Sequence, residues 1–190
     1  MKIVVVIFGL MGTGKTTLAR ELGRSLGWPV LHSDAVRKTM AGLTPTTRMP
    51  EKFGEGIYSK DFSQGMYGEM RRLAREYLQN GAGVILDGSY IKAAERAKVR
   101  KLAGEIGAAA VFLCCHCPLE VARERMARRA ADPQAISDGR EELMCAQVAD
   151  FDAPTAGDEP LLLLDTNREV AAVVAEAREF IDQRLFCKES

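Results

Sequence analysis

The chain has 190 residues, 47% hydrophobic and 27% charged, which suits one globular domain spanning residues 1–190 and excludes disordered or fibrous architectures. Twenty-six basic residues balance twenty-six acidic ones, so no net field draws the molecule toward nucleic acid or an anionic membrane. The apolar start, MKIVVVIFGL, is interrupted by Gly9, Gly12, Gly14 and Lys15 well short of the roughly 20 residues of a membrane span. No small-residue cleavage site follows, so neither an anchor nor a signal peptide is expected.

Ile3 to Phe8 reads as a continuously apolar run, the pattern of a parallel strand buried on both faces. A helix is predicted over Lys15 to Leu26, a short strand over Val30 to His32 and a helix over Asp34 to Ala41. Leu43 to Ile57, with two Pro, two Gly and no period, reads as an irregular loop of the kind that carries function, here on the acceptor side. The spacing of Met66, Met70, Leu73, Ala74, Tyr77 and Leu78 predicts a long helix over Ser59 to Asn80, stopped by Gly81.

Further apolar runs at Val84 to Leu86, Ala109 to Cys115 and Leu161 to Leu164 complete five strands. Helices are predicted over Lys92 to Ile106, Leu119 to Ala131, Asp138 to Phe151 and Glu169 to Phe186. Ser137 stands as an N-cap before Asp138. Ala131 to Ser137 is a second loop, which with the Arg-rich end of the preceding helix forms a candidate lid over about 123–137. The alternation of strand and helix gives an α/β fold, a parallel sheet covered on both faces.

The strongest chemical signal is Gly9-Leu10-Met11-Gly12-Thr13-Gly14-Lys15-Thr16, a full match to G-x-x-x-x-G-K-[ST] between a strand and a helix. In that setting backbone N–H groups converge on a phosphate and the helix N-terminus adds its positive end. Gly9, Gly12, Thr13, Gly14, Lys15, Thr16 and Thr17 are therefore expected to bind a nucleoside triphosphate. Lys15 would reach the β- and γ-phosphates, and the Thr16 hydroxyl would ligate Mg²⁺. Asp87 ends an apolar strand at the edge where α/β sheets bind ligands, and is the candidate second metal residue, acting through water; in isolation such an Asp serves equally as a turn cap.

His32-Ser33-Asp34-Ala35-Val36-Arg37-Lys38 opens from the next strand end. Asp34 there could take the proton of an acceptor hydroxyl, and Arg37, one turn on, could hold the acceptor or the travelling phosphoryl group; Ser33 and Asp34 could also simply cap the helix.

The segments GLMGTGKTTLARELG, HSDAVRK, FGEGIYS, GAGVILDGSY, CHCPLEVARERMARR, FDAP and LLLLDT resemble the P-loop kinase-like ATPases related to polynucleotide kinases and gluconate kinases. Within that group they are most similar to the ATP-binding domain fused to an aminoglycoside-phosphotransferase-like domain in some bacterial proteins. The resemblance implies a three-layer P-loop NTPase fold with strand order 2-3-1-4-5, a small lid, and ATP and Mg²⁺ as cofactors. It implies Asp34 as general base, Arg37 on the acceptor, and Arg125 and Arg129 as lid arginines, one against adenine and the other on the phosphates, with Thr166 and Asn167 edging the adenine pocket. Arg123 and Arg128 share that helix, and an Arg-rich face is also the ordinary form of a solvated surface. No phosphotransferase-like domain is expected upstream of the P-loop, which leaves room for a separately encoded protein partner.

Cys114-Cys115-His116-Cys117 invites a zinc reading, but alternation on a strand sends neighbours to opposite faces, and the cysteines read as small buried hydrophobes in a reducing, cytoplasmic protein. His32 reads as a packed or solvent-linked residue, and Trp28 as packing under the second strand. The expected function is transfer of the γ-phosphoryl group of ATP to a hydroxyl of a small molecule or nucleotide. The rivals are a polynucleotide 5′-hydroxyl kinase and an ATP-dependent regulatory switch with slow hydrolysis. Neutral charge and the lack of an aromatic-basic stacking platform point away from long nucleic acid.

Overall fold

A computed structural model describes residues 1–44, 47, 55–130 and 141–186, with only the backbone described at 130, 141–143 and 186. Five strands, β1 (Lys2–Phe8), β2 (Val30–His32), β3 (Gly83–Asp87), β4 (Ala108–His116) and β5 (Leu161–Asp165), form one all-parallel sheet in the order β2-β3-β1-β4-β5, the expected 2-3-1-4-5. Among the described residues seven α-helices connect and cover them: α1 (Lys15–Leu26), α2 (Ser33–Met40), α3 (Lys60–Asn80), α4 (Ala93–Glu105), α5 (Leu119–Ala130), α6 (Glu141–Ala149) and α7 (Val170–Phe186). Most predicted boundaries hold to within a residue or two. Of predicted Asp138 to Phe151, the described part is helical to Ala149, and residues 138–140, the Ser137 cap, the whole Ala131 to Ser137 loop and residues 45, 46 and 48–54 of the Leu43 to Ile57 loop lie outside the described residues.

The continuously apolar strands are explained by two cores, one on each face of the sheet. Val4, Val6, Phe8, Val84, Leu86 and Phe112 pack against Met66, Met70, Ala74 and Leu78 of α3 and Val99 and Leu102 of α4. Ile3, Val5, Ile7, Ile85, Val111 and Leu113 pack against Leu18, Ala19 and Leu22 of α1 and Val173, Ala177 and Ile181 of α7. Each such aliphatic side chain gains about 1.5–3 kcal/mol from full burial, and a one-residue slip of a strand would exchange its two faces. Register is thereby fixed.

That register brings the strand ends together. Ile7 pairs with Asp87, His32 with Asp87, Phe8 with Cys114 and His116 with Asp165, so the carboxyl ends of all five strands reach one edge. Cys114 and Cys115 fall in opposite cores, as strand alternation requires, and burial pushes their thiols up to about 11 and about 12, which keeps them protonated and inert. Trp28 joins the α1 and α7 core and lies directly over Gly83, where an added Cβ would stand 2.3 Å from the indole. α3 is capped by Ser59, whose Oγ accepts the Phe62 N–H at 3.4 Å, and stops at Gly81 in an extended conformation rather than the left-handed one of a usual glycine cap.

A buried polar cluster ties the far loop to this frame. Arg96 of α4, with no solvent exposure, donates from Nε and Nη2 to the two carboxylate oxygens of Asp158 at 2.9 and 3.0 Å, from Nη1 to the Tyr90 carbonyl at 3.0 Å, and from Nη2 to the Asp152 carbonyl at 3.1 Å. Its guanidinium lies 4.9 Å from the centroid of Phe8, the last residue of β1. Asp152, from the FDAP segment, accepts the Ala93 N–H at 3.0 Å and so caps α4 from 59 residues away. Charge and hydrogen bonds are satisfied together, the condition for keeping such a pair inside a protein.

Candidate functional site

The loop between β1 and α1 closes around its own carbonyls. Leu10 O accepts from Thr13 Oγ1 at 2.7 Å and from Lys15 Nζ at 2.6 Å. Gly9 and Gly12 have φ of 136° and 78°, and a Cβ on them would stand 2.3 Å from Cys115 O and 2.6 Å from Ala122 O. Only glycine fits there, for backbone angle and for space alike. Gly14 begins α1 without a side-chain cap, so the first N–H groups of a twelve-residue helix are left for an anion.

Burial pushes the Lys15 ammonium below its ordinary range; the charges of Asp87 and Asp34 oppose that shift and Arg129 adds to it. All three charged residues therefore lie within electrostatic reach of Lys15. Thr16 Oγ1 donates to Asp87 Oδ2 at 2.9 Å, and Asp87 is itself 4% exposed. The pair forms a compact set of hard oxygen donors beside the phosphate loop, the donor type that suits Mg²⁺ shared with substrate phosphates. Among the described residues no group of three His, Cys, Asp or Glu side chains forms a separate metal cage.

The Asp87-Gly88-Ser89-Tyr90 turn runs along the same loop. Ser89 O accepts the Gly9 N–H at 3.2 Å, Ser89 Oγ pairs with Tyr67 Oη at 3.2 Å, and Tyr67 Oη accepts the Tyr90 N–H at 3.1 Å. Tyr90 is the described non-glycine residue with positive φ, at 40°, and it is fully buried against Tyr67. A strained residue held between the phosphate loop and α3 is the kind of outlier that accumulates at functional sites.

Asp34 stands half-buried in the first turn of α2; the N-cap position is His32, whose side chain makes no capping bond. Arg37 is buried and turned toward Ile57 and the start of α3. Its Nη1 donates to Ile57 O at 2.5 Å and Ser63 Oγ at 3.0 Å, its guanidinium lies 4.9 Å from the Tyr58 centroid, and its Nε has no hydrogen-bond partner among the described residues. On the other side, Arg125 donates from Nη1 to Thr166 Oγ1 at 3.1 Å and from Nη2 to Thr166 O at 2.7 Å, while Thr166 Oγ1 reaches Thr13 O at 2.9 Å. Arg125 and Arg129 share one wall of a cleft of about 360 Å³ with Gly14, Thr17, Leu18 and Thr166. Arg128 also lines it, so three arginines of α5 border the cleft beside Gly14.

Two contacts were not legible in advance. His32 Nδ1 lies 2.7 Å from Asp87 Oδ2, although the residue read as packed or solvent-linked. The signal available was position, since β2 neighbours β3 in the 2-3-1-4-5 order and His32 ends its strand as Asp87 ends the other. Buried Gln147 of α6 accepts the Met11 N–H at 2.8 Å, and no pattern in the sequence marks it.

Residues 4–154 match the family model described as AAA domain. Over 149 residues, 78% of its length, the chain is 32% identical to an uncharacterised protein of Mycobacterium tuberculosis (strain ATCC 25618 / H37Rv), of which it spans 30%. It is 29% identical over 132 residues to the shikimate kinase of Brucella abortus (strain S19), covering 68% of this chain and 58% of that one. The crystal structure of a gluconokinase from Sinorhizobium meliloti 1021 superposes with a TM-score of 0.67 at 22% identity, over 98% of this chain and 97% of that one. The chain belongs to this AAA-domain family, and its fold is that of the P-loop kinases.

Proposed function

We propose that the protein is an ATP-dependent kinase that transfers the γ-phosphoryl group to a hydroxyl of a small molecule. The observation that carries this reading is the presence of carboxylates at two neighbouring strand ends: Asp87 at the end of β3, tied to Thr16, and Asp34 in the first turn of α2, just after His32, the β2 residue that pairs with Asp87. A site that only binds or slowly hydrolyses nucleotide has use for the first. A second carboxylate, at the neighbouring strand end, suits general-base work toward an acceptor.

In this reading the loop N–H groups and Lys15 hold the phosphates, and Thr16 with Asp87, through water, holds Mg²⁺, which would neutralise phosphate charge when bound. Asp34 takes the proton of the acceptor hydroxyl as its oxygen bonds to the γ-phosphorus and the bond to the β–γ bridging oxygen breaks, releasing ADP. Arg129 meets charge on the travelling group, Arg125 lies against the base, and Arg37, anchored to Ile57 and Ser63, holds the acceptor side. The names of the gluconokinase and shikimate kinase relatives favour a polyhydroxylated acid or sugar as acceptor class.

The test is Asp34→Asn. Displacement of a fluorescent ATP analogue should give unchanged ATP affinity, while the acceptor-stimulated ATP consumption seen with a pool of sugars and sugar acids should fall roughly 10² to 10⁴-fold. Undiminished stimulation in the variant would remove Asp34 from the chemistry.

A further inference from the structure

The metal-side carboxylate is held by more than the phosphate loop. Asp87 Oδ2 accepts from Thr16 Oγ1 at 2.9 Å and faces His32 Nδ1 at 2.7 Å, so both contacts fall on one oxygen. The side chains of His32 and Asp87 are 18% and 5% exposed, and β2 pairs with β3 so that the two residues are direct register partners. An ionised carboxylate only accepts hydrogen bonds, so Nδ1 carries the proton in this contact. The His32 side chain performs no capping task at the start of α2, where it occupies the N-cap position.

We propose that His32 is a positioning residue of the metal side: it locks the Asp87 carboxylate in the orientation that presents Oδ1 to a Mg²⁺-bound water. The proposal rests on the nucleotide and metal reading of Thr16 and Asp87 above. Rotation of a carboxylate about its last torsion is soft, with broad wells, and one hydrogen bond from Thr16 does not fix it. A second donor on the same oxygen, fixed to the neighbouring strand by sheet register, makes the rotation costly and leaves the other oxygen's lone pairs for water. His32 itself touches neither nucleotide nor metal in this arrangement; it acts through Asp87.

The experiment follows the affinity of fluorescent ADP as a function of Mg²⁺ concentration in the wild type and in His32→Leu, His32→Asn and His32→Gln. Asn sets its amide nitrogen near the place of Nδ1 and so keeps the donor, whereas Gln carries it one carbon further out. The expected result is an Mg²⁺ midpoint raised roughly 10 to 100-fold in His32→Leu and in His32→Gln, with metal-free ADP affinity unchanged, and a midpoint close to wild type in His32→Asn. Should His32→Leu not fold, the contrast between Asn and Gln decides the matter alone. A wild-type midpoint in both His32→Leu and His32→Gln, or an equal rise in His32→Asn and His32→Gln, overturns the proposal while leaving the kinase reading intact. Wild-type protein whose ADP affinity ignores Mg²⁺ overturns the metal reading and this inference with it.

Discussion

Lys15 sits in a site shaped for an anion, and its half-buried ammonium donates to the Leu10 carbonyl. Burial lowers its pKa in the folded state, so the unfolded chain binds the proton more readily. Stability from this residue is therefore reduced below the folded pKa and recovers as pH rises toward the ordinary lysine value near 10.4. Lys15→Met should leave the nucleotide-free protein at least as stable as wild type at pH 7, while abolishing the rise in Tm that ATP gives. Thermal melts with and without ATP check both halves; a destabilised apo variant that still responds to ATP would contradict the assignment. Gly9→Ala should fail differently, since a Cβ 2.3 Å from the Cys115 carbonyl cannot be accommodated at φ 136°. A drop in Tm together with loss of nucleotide binding is expected there. Lys15, Thr16 and Asp87 were legible from sequence because loop spacing and a strand end fix them locally. His32 and Gln147 were not, because their roles arise from partners 55 and 136 residues away.

At the scale of elements, the stretch from Phe151 to Asp158, which opens with FDAP, works as a remote cap and latch. Asp152 completes α4, and Asp158 answers the buried Arg96 that also holds the Tyr90 turn beside the phosphate loop. Burial works against the ionised Asp158 carboxyl, but the hydrogen bonds from Arg96 and the Thr155 N–H outweigh it and keep the carboxyl below its usual range. Its contribution is thus fully present above about pH 4 and is lost as pH falls through the lowered folded value. Asp158→Asn leaves Arg96 with an unneutralised buried charge, a change that typically costs about 3–5 kcal/mol, and should lower Tm at pH 7 by on the order of 10 °C. A melt within a degree or two of wild type would show the pair to be dispensable. Helix extents were readable because apolar spacing and caps such as Ser59 act within a few residues. The capping of α4 was not, since Lys92 offers no cap and the carboxylate that serves comes from beyond β4 and α6.

For the whole molecule, five buried parallel strands were visible as apolar runs, whereas their order came from family resemblance and is now seen in the pairing itself. The aligned strand ends gather Gly9, His32, Asp87 and Thr166 at one edge, which is where ligands bind in open α/β sheets. Charge balance across the chain predicts a weak response to nucleic acid. Single-stranded 5′-hydroxyl oligonucleotides should bind poorly near physiological salt and leave ATP turnover unchanged. Submicromolar binding with a log–log salt slope steeper than about −3, implying four or more phosphates at roughly 0.7 each, would favour a polynucleotide acceptor instead. The central claim, transfer rather than hydrolysis, is tested most directly by incubating the protein with ATP, Mg²⁺ and a pool of sugars and sugar acids in water enriched in ¹⁸O, then analysing products by mass spectrometry. Transfer predicts a phosphorylated pool member whose phosphoryl oxygens carry no solvent ¹⁸O, formed by wild type and absent with Lys15→Ala. Inorganic phosphate carrying solvent ¹⁸O, formed at the same rate with or without the pool and with no phosphorylated product, would contradict it.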